Sequence, residues 1–360
     1  MSAPTRVRAT PPVAPAPPAK LAAEWDALAT RAGADPFVRP GWIDAWRAAF
    51  GSSALEPLLV RRDGRLVGVL PVRGRLISRS PTNEHTPAFA PLTEDAEALC
   101  ALAEALVARR PAVVSVAFLD AAEPALAALR AAAAAAGYAV AVRPIHRSPV
   151  LFLDDLAAWE ATRPRRMIAD LRRRRRRLEE RGQLTVTTTH EPGALSDLLM
   201  LERSGWKGAE GTAIADDARL RAFYAQVAGW AARRGALRIA TLRLDGRPLA
   251  ALLALEEAGA LHLLKAGYDA AFARNSPGQL LLQDTLRGAF AAGLARVELH
   301  GADEPYKRVW TGAVRERAVL EAFAPTAAGR LAQAAVARGR PLARRAREHR
   351  TSIRRGRTNA

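Results

Sequence analysis

Residues 263–282 read LLKAGYDAAFARNSPGQLLL, and the rest of the chain is organised around the change from strand to helix inside them. The strand closes a meander of three runs rich in Leu, Ile and Ala: Leu237 to Leu244, Leu249 to Leu255, and Ala260 to Tyr268. Asp245-Gly246 suits a tight turn between antiparallel strands, and Glu257-Ala258-Gly259 offers a glycine for the next one. Beyond an irregular segment, Ser276-Pro277-Gly278 opens a helix whose apolar positions Leu280, Leu281 and Ala289 recur at helical spacing. Proline is preorganised for the first helical position, and a serine before it caps by accepting a backbone N–H. Gly293 stops the helix, and Ala295 to Leu299 returns as a strand. Such a strand–helix–strand crossover sets its two strands side by side and parallel. The helix start then carries unpaired N–H groups and a partial positive charge, so Arg274, Ser276 and Gly278 form a candidate anion site.

The order meander, irregular turn, helix N-terminus, strand resembles the core of the GNAT acyltransferase superfamily. Three segments narrow it: LERSGWKG at 201–208, LLKAGYDAAFARNSPGQLLL at 263–282 and HGADEPYKRVWTG at 300–312 look like its CelD-type branch. That branch is related to the Fem aminoacyltransferases that build peptidoglycan cross-bridges. The resemblance implies an N-acyltransferase with acyl-CoA, typically acetyl-CoA, as co-substrate. Its acceptor would be an amino group of a sugar or of a cell-envelope or exopolysaccharide precursor. Kinship with Fem proteins implies aminoacyl-tRNA as the alternative donor, and a non-catalytic ligand-binding module is the third reading. The usual pyrophosphate loop of the superfamily is Q/R-x-x-G-x-G/A. Here Arg274 fits its first position, but Pro277 stands in place of the first glycine and Gln279 in place of the small residue.

Acyl transfer to an amine requires a deprotonated amine, a stabilised oxyanion and a proton for the leaving group. Lys265 sits in an apolar strand where a lone ammonium needs a reason, although its alternation with Leu264 and Ala266 leaves a solvent-facing placement open. The resemblance assigns it to the oxyanion, Tyr306 to the leaving-group proton, and Asp303 or Glu202 to the base. Gln279 joins Arg274, Ser276 and Gly278 on the donor. Trp206, Lys207, Tyr268, His300 and Lys307, with Arg174 and Arg175, would contact the acceptor or its phosphates.

The 360 residues suffice for two domains, and a hydrophobic content of 49% argues against general disorder. Uninterrupted apolar runs stay short of a membrane span. The single cysteine, Cys100, excludes an intramolecular disulfide, makes a thiolate metal site unexpected and fits a reducing cytoplasm. The net charge of +18 is local. Residues 163–181 set ten arginines against Asp170, Glu179 and Glu180, and residues 326–360 set ten against Glu348. Such segments usually face something anionic, whether nucleic acid, acidic lipid headgroups or a phosphorylated ligand; the first could grip tRNA, and the second an anionic inner-membrane surface or RNA. Six consecutive arginines, Arg172 to Arg177, turn through about 500° of helix, so they cannot share one face. Met167, Leu171 and Leu178 mark the apolar stripe, with Arg174 and Arg175 flanking it and Asp170 and Glu179 within pairing distance.

Upstream, helical patterns at 21–31, 42–50, 93–109 and 123–136 alternate with a hairpin around Asp63-Gly64 and strands at 112–119 and 138–142. The pattern repeats that of the C-terminal half. The expected fold is therefore α/β (α+β type): two packed lobes, each a mixed, mostly antiparallel sheet flanked by helices. Residues 1–20 form a Pro/Ala-rich disordered arm, 21–150 the degenerate N-terminal lobe, 151–325 the acyltransferase domain and 326–360 the basic tail. Ser80 to Pro91, with Asn83, Glu84 and His85, is a polar loop suited to line a cleft between the lobes.

Overall fold

The computed structural model describes residues 18–51, 54–204 and 214–338. Its first half runs α1 (Ala19–Arg31), α2 (Pro40–Phe50), β1 (Leu55–Arg62), β2 (Arg65–Arg73), β3 (Ile77–Arg79), β4 (Leu92–Thr93), α3 (Ala96–Ala108), β5 (Val113–Asp120), α4 (Pro124–Ala135) and β6 (Ala139–Phe152). The second half runs α5 (Leu156–Ala161), α6 (Arg165–Glu179), β7 (Leu184–Thr189), α7 (Leu195–Ser204), α8 (Ala218–Arg233), β8 (Leu237–Leu244), β9 (Arg247–Glu257) and β10 (Ala260–Tyr268). It ends with α9 (Pro277–Ala291), β11 (Arg296–Glu298), the single turn α10 (Pro305–Arg308) and β12 (Val314–Phe323). Both Asp-Gly pairs adopt positive φ, Asp63 with Gly64 and Asp245 with Gly246, as two-residue hairpins require.

Each half holds one parallel pair bridged by a helix: β3 with β5 across α3, and β10 with β11 across α9. The halves do not keep separate sheets, however. β6 closes the first half in sequence, yet its Val150, Leu151 and Phe152 pair with β11. β12 closes the second half, yet it pairs with β5. β6 and β12 also pair with each other, from Val314 opposite Pro149 to Phe323 opposite Ala139. The result is one mixed sheet in the order β1-β2-β3-β5-β12-β6-β11-β10-β9-β8-β7, with β4 beside β2. The position near 150 where the sequence divides the lobes falls inside β6. That strand is also longer than the run 138–142 suggests, because Arg143, Pro144, His146 and Arg147 break its apolar pattern.

Two apolar layers sandwich the C-terminal half of the sheet. On one face Trp25, Phe37, Trp42, Leu198, Phe223 and Tyr224 pack with Ile239 and Leu253. On the other, Trp159, Leu171, Leu178, Leu280 and Leu286 pack with Leu242, Leu252, Val297 and Trp310. Burial on both sides explains why β9 reads as a continuous apolar run rather than an alternation. Residues 327–338 are helical and set Ala332 and Val336 against Ala112, Val113 and Phe323, so the start of the basic tail packs onto the sheet. Residues 1–17 of the arm and 339–360 of the tail lie outside the described residues. Among the described residues no helix is long and apolar enough to cross a membrane.

A buried charge network ties the halves together beside the sheet. Arg39, 1% exposed, donates to Asp26 of α1 and to Glu257 at the end of β9, each at 2.9 Å. Arg234, following α8, pairs with the same two carboxylates at 2.5 and 3.4 Å. Removing the buried Arg39 deprives two half-buried carboxylates, Asp26 and Glu257, of a cation, a loss of about 2 kcal/mol once solvent screening is allowed for. Arg39→Met is therefore expected to lower the stability measured by urea denaturation by that amount. A loss below about 1 kcal/mol would mean that Arg234 alone holds both carboxylates.

Candidate functional site

The parallel contact between β10 and β11 lasts three residue pairs, Ala260 with Arg296, Leu261 with Val297 and His262 with Glu298. Past His262 the strand continues to Tyr268 alongside β9 only, so that edge has no strand partner among the described residues. A bulge at Leu263–Lys265 shifts the register there. Bulges re-aim side chains. Leu263 packs with the α9 layer, whereas Leu264 packs with the α7 and α8 layer. Lys265 lies on that second side as well, its Nζ 5.6 Å from the centre of the Tyr224 ring. Gly267 follows on the same side, where a Cβ would stand 2.8 Å from the backbone nitrogen of Glu202; only glycine lets α7 approach so closely. Tyr268 faces the other way, against the start of α9, at a distance where a Cβ on Gly278 would meet its ring at 3.6 Å.

Around Lys265 the fold assembles groups from three distant segments. Tyr224, 1% exposed, shares a 3.0 Å hydrogen bond with His85 Nδ1. His85 comes from the polar loop of the first half and stacks on Phe50. Burial, reinforced by the charge of Lys265, pulls the His85 pKa down to about 4, against the opposing pull of Glu84 and Glu202, so the imidazole is neutral at pH 7. Burial and then Glu202 push the Tyr224 hydroxyl well above its ordinary value. Glu202 is 4% exposed, and its Oε2 accepts from the Ile214 N–H at 3.0 Å.

The start of α9 differs from its expected detail. Ser276 occupies the N-cap position in a left-handed conformation (φ 50°, ψ 51°) and makes no side-chain cap. Its Oγ instead accepts from Arg174, at 2.6 Å. The same guanidinium donates to the Arg274 carbonyl at 2.7 Å and to Asp170 at 2.5 Å. Arg175 pairs with Asp284 of α9 rather than with Glu179. Leu171 and Leu178 are buried, Arg174 and Arg175 half-buried, and the other four arginines of the run are exposed, as the helical stripe requires. α6 thereby straps the loop that precedes α9. The N–H groups of Gln279 and Leu280 turn back onto the Ser276 carbonyl at 3.0 and 3.2 Å, which leaves the Gly278 N–H to an outside acceptor. Gln279 Oε1 accepts from the Trp310 indole at 2.9 Å, and the Trp310 carbonyl accepts from the indole of Trp159 at 3.0 Å. Gln279 thus braces the helix start.

The residues after β11 form a second cluster. His300, 3% exposed, meets His262 Nδ1 through Nε2 at 3.1 Å, and Phe37 packs edge-on against both rings. Burial holds both histidines below their ordinary pKa, so this pair is neutral packing. Lys307 Nζ donates to the carbonyls of His300 and Ala302 at 2.7 and 3.2 Å and pairs with Glu304 at 2.9 Å, which engages its three protons within the loop. Asp303 accepts from Arg308 at 3.0 Å. Tyr306 is 48% exposed beside Lys307, and burial, then Glu304, raise its pKa. Trp206 and Lys207 lie outside the described residues.

The structure therefore gathers Lys265 and Glu202, sets Tyr268 with Gly278, Ser276, Arg274 and Arg174, and holds Tyr306, Lys307, Asp303 and His300 in the loop that leaves β11, the strand paired with β10. Tyr224 and Trp310 escaped the sequence reading. Tyr224 is hidden in an apolar helix face beside Phe223, and Trp310 sits unremarked within the 300–312 motif.

Residues 165–308 match the family model described as "Acetyltransferase (GNAT) domain". No curated protein sequence matches the chain. Among solved structures, FemX has a TM-score of 0.58 at 12% identity, with 83% of this chain and 95% of that chain covered. The C-terminal DUF2156 domain of a putative lysylphosphatidylglycerol synthetase from Agrobacterium fabrum scores 0.54 at 15% identity, covering 88% and 96%. A conserved protein of unknown function from Bacteroides thetaiotaomicron scores 0.53 at 10% identity, covering 84% and 97%. At such identities the likeness concerns the fold.

His85 gives this site a pH signature. Between its unfolded value of 6.5 and its folded value of about 4, the unfolded chain takes up a proton that the folded chain refuses. Stability should therefore fall as pH drops through that window, at up to about 1.4 kcal/mol per unit for this one group. His262 and His300 act in the same direction. The expected outcome is that His85→Asn loses less stability than the wild type between pH 6.5 and pH 4 in thermal melts. Identical pH profiles would exclude a buried, neutral His85.

Proposed function

We propose that the protein, whose residues 165–308 match the acetyltransferase (GNAT) family model, is an N-acyltransferase that moves an acyl group from acyl-CoA to a primary amine. One observation carries this reading: the unpartnered edge of β10 beyond His262 has an anion-ready helix start on one face and the Lys265 cluster on the other. A free strand edge offers backbone donors and acceptors to an extended, amide-bearing ligand. The N–H of Gly278 and the guanidinium of Arg274 would meet the donor's phosphates. The amine would enter from the side of α7 and α8. Its nitrogen attacks the thioester carbonyl, the C–N bond forms, and the oxyanion develops within reach of the Lys265 ammonium. The C–S bond then breaks, and the thiolate takes a proton, for which Tyr306 is the candidate donor. Glu202 is the candidate acceptor for the amine proton, with Tyr224 and His85 fixing the pocket beside it. The neutral imidazole, with a pKa of about 4, is too weak a base to take that role itself at pH 7.

The acceptor in this reading is an amino group of a sugar or of an envelope or exopolysaccharide precursor, supported by the three motif segments. The reaction would take place in the cytoplasm, with the basic tail resting on the anionic inner-membrane surface. The second reading, aminoacyl-tRNA as donor, has its own observation. Arg172, Arg173, Arg176 and Arg177 are exposed on α6, whose Arg174 grips the loop at the start of α9. Side-by-side assays with acetyl-CoA and with charged tRNA over a panel of amines separate the two. A steep salt dependence of RNA binding would favour the second.

Two substitutions test the site. Gly278→Asp has room for its Cβ and places a carboxylate where a helix dipole welcomes it, so its melting temperature should equal or exceed that of the wild type. Donor affinity should nevertheless be abolished by repulsion; unchanged affinity would remove the helix start from the donor site. Lys265→Ala and Tyr306→Phe, assayed with saturating donor and checked by thermal melts, should each lower turnover by on the order of 10². Wild-type turnover in both would assign these residues to structure and overturn the mechanism.

A further inference from the structure

Arg73 ends β2 and Arg79 ends β3, and the two stand directly opposite each other across the antiparallel contact of those strands. Opposed residues project from the same face of a sheet, with Cβ atoms about 5 Å apart, and like charges placed so destabilise the pair. The turn between them holds this register. Gly74 takes a φ of 76°, and its carbonyl accepts from Ser78 Oγ at 3.1 Å. Two guanidinium groups are thus kept side by side.

Neither arginine forms an ion pair or a side-chain hydrogen bond among the described residues. The carboxylates of the neighbourhood are engaged elsewhere. Glu56 stands opposite Val72, on the other face, and serves Arg75 at 3.4 Å and Arg109 at 2.8 Å. Glu321 shares the face, beyond Ser115 of β5, but is held by Arg143 at 3.0 Å. Glu84 turns to His85. Burial and then Arg79 lower the Arg73 pKa, and no carboxylate opposes them. Arg73 is half-buried and positioned, with its guanidinium 5.5 Å from the centre of the Trp46 ring. Its Nε is enclosed, whereas its two terminal nitrogens make no hydrogen bond and stay open to solvent. Arg79 beside it is exposed.

Charge decides what fits between them. A monoanion would leave one cation unmatched, whereas a phosphate dianion neutralises both and presents its oxygens to two guanidinium forks. We propose that Arg73 and Arg79 form a binding site for a phosphate dianion, bound through the terminal nitrogens of Arg73 and the exposed fork of Arg79. The dianion has two sources, the free ion or a phosphoryl group on a larger ligand. The ring series Trp46, Phe50 and His85 runs from Arg73 towards the Lys265 pocket, so the larger ligand is a phosphorylated amine acceptor. Only that second source rests on the acyl-transfer reading; the site itself shares no residue with the proposed reaction.

Thermal melts of the full chain test it, at about pH 8 where phosphate is a dianion, in about 20 mM inorganic phosphate against acetate of equal ionic strength. The wild type should melt about 3 °C higher in phosphate, as expected for a site half-filled near 1 mM. Arg79 is exposed, so Arg79→Ala should fold normally, and it should lose this increment. Arg75 is another exposed arginine of the same turn, but it is paired with Glu56, so Arg75→Ala should keep the increment. Glucosamine 6-phosphate, with glucosamine as control, separates the two sources. A larger increment than phosphate gives assigns the site to a phosphorylated amine, and an equal one assigns it to the free ion; both should vanish in Arg79→Ala. No measurement here depends on turnover, so failure of acyl transfer would leave the result intact. Three results would overturn the proposal: no phosphate increment in the wild type, an equal increment in Arg79→Ala, or its loss in Arg75→Ala.

Discussion

β10 and β11 can hold each other for only three residue pairs, and the rest of the C-terminal half follows from that limit. A parallel pair needs a crossover helix, and α9 supplies it; once β11 ends, the distal part of β10 is left without a neighbour on one side. An open edge inside a sheet is normally a liability, managed by covering or by charge. Here the flanking layers manage it. α6 straps the loop before α9 through Arg174, and Trp310 holds the helix start through Gln279. Lys307 meanwhile ties down the carbonyls of the loop that leaves β11. The gap is braced on all these sides and remains available to a ligand.

The bulge in β10 gives that gap two different faces. Without it, Lys265 would share a side with Leu263 and the α9 layer. With it, Lys265 and Gly267 turn towards α7 and α8, and Tyr268 turns towards the helix start. A positive group and an anion site thus come to lie on opposite faces of a single strand, an arrangement suited to joining two substrates that enter from different directions. The first half contributes directly to one of them, because its polar loop delivers His85 to Tyr224.

The exchange of β6 and β12 makes this cooperation between halves obligatory. Each half hands its last strand to the sheet of the other, so neither could close its own edge alone. A charge cluster is one consequence: Arg315 and Arg317 of β12 arrive opposite Asp120 of β5 and Glu298 of β11 only because β12 crosses over. The Arg39 network performs a related task away from the sheet, linking α1 to the end of β9.

Much of this was local enough to be written in the sequence. The Asp-Gly turns, the meander, the proline-led helix and the parallel return strand depend on backbone preferences and on apolar spacing within a few residues. The stripe of Leu171 and Leu178, with its flanking arginines, follows from helical geometry alone. Other features depended on partners far away in the chain. β12 reads as VRERAVLEAF, whose interspersed charges conceal a strand until carboxylates from β5 and β11 neutralise them. Ser276 looks like a cap, but a guanidinium a hundred residues upstream takes its oxygen. Tyr224 looks like core because its hydroxyl finds a partner only when the loop of the other half arrives. Short-range periodicity and turn chemistry determined the elements; the tertiary structure decided which buried charges and hydroxyls meet, because long-range pairing leaves no periodic mark in a single sequence.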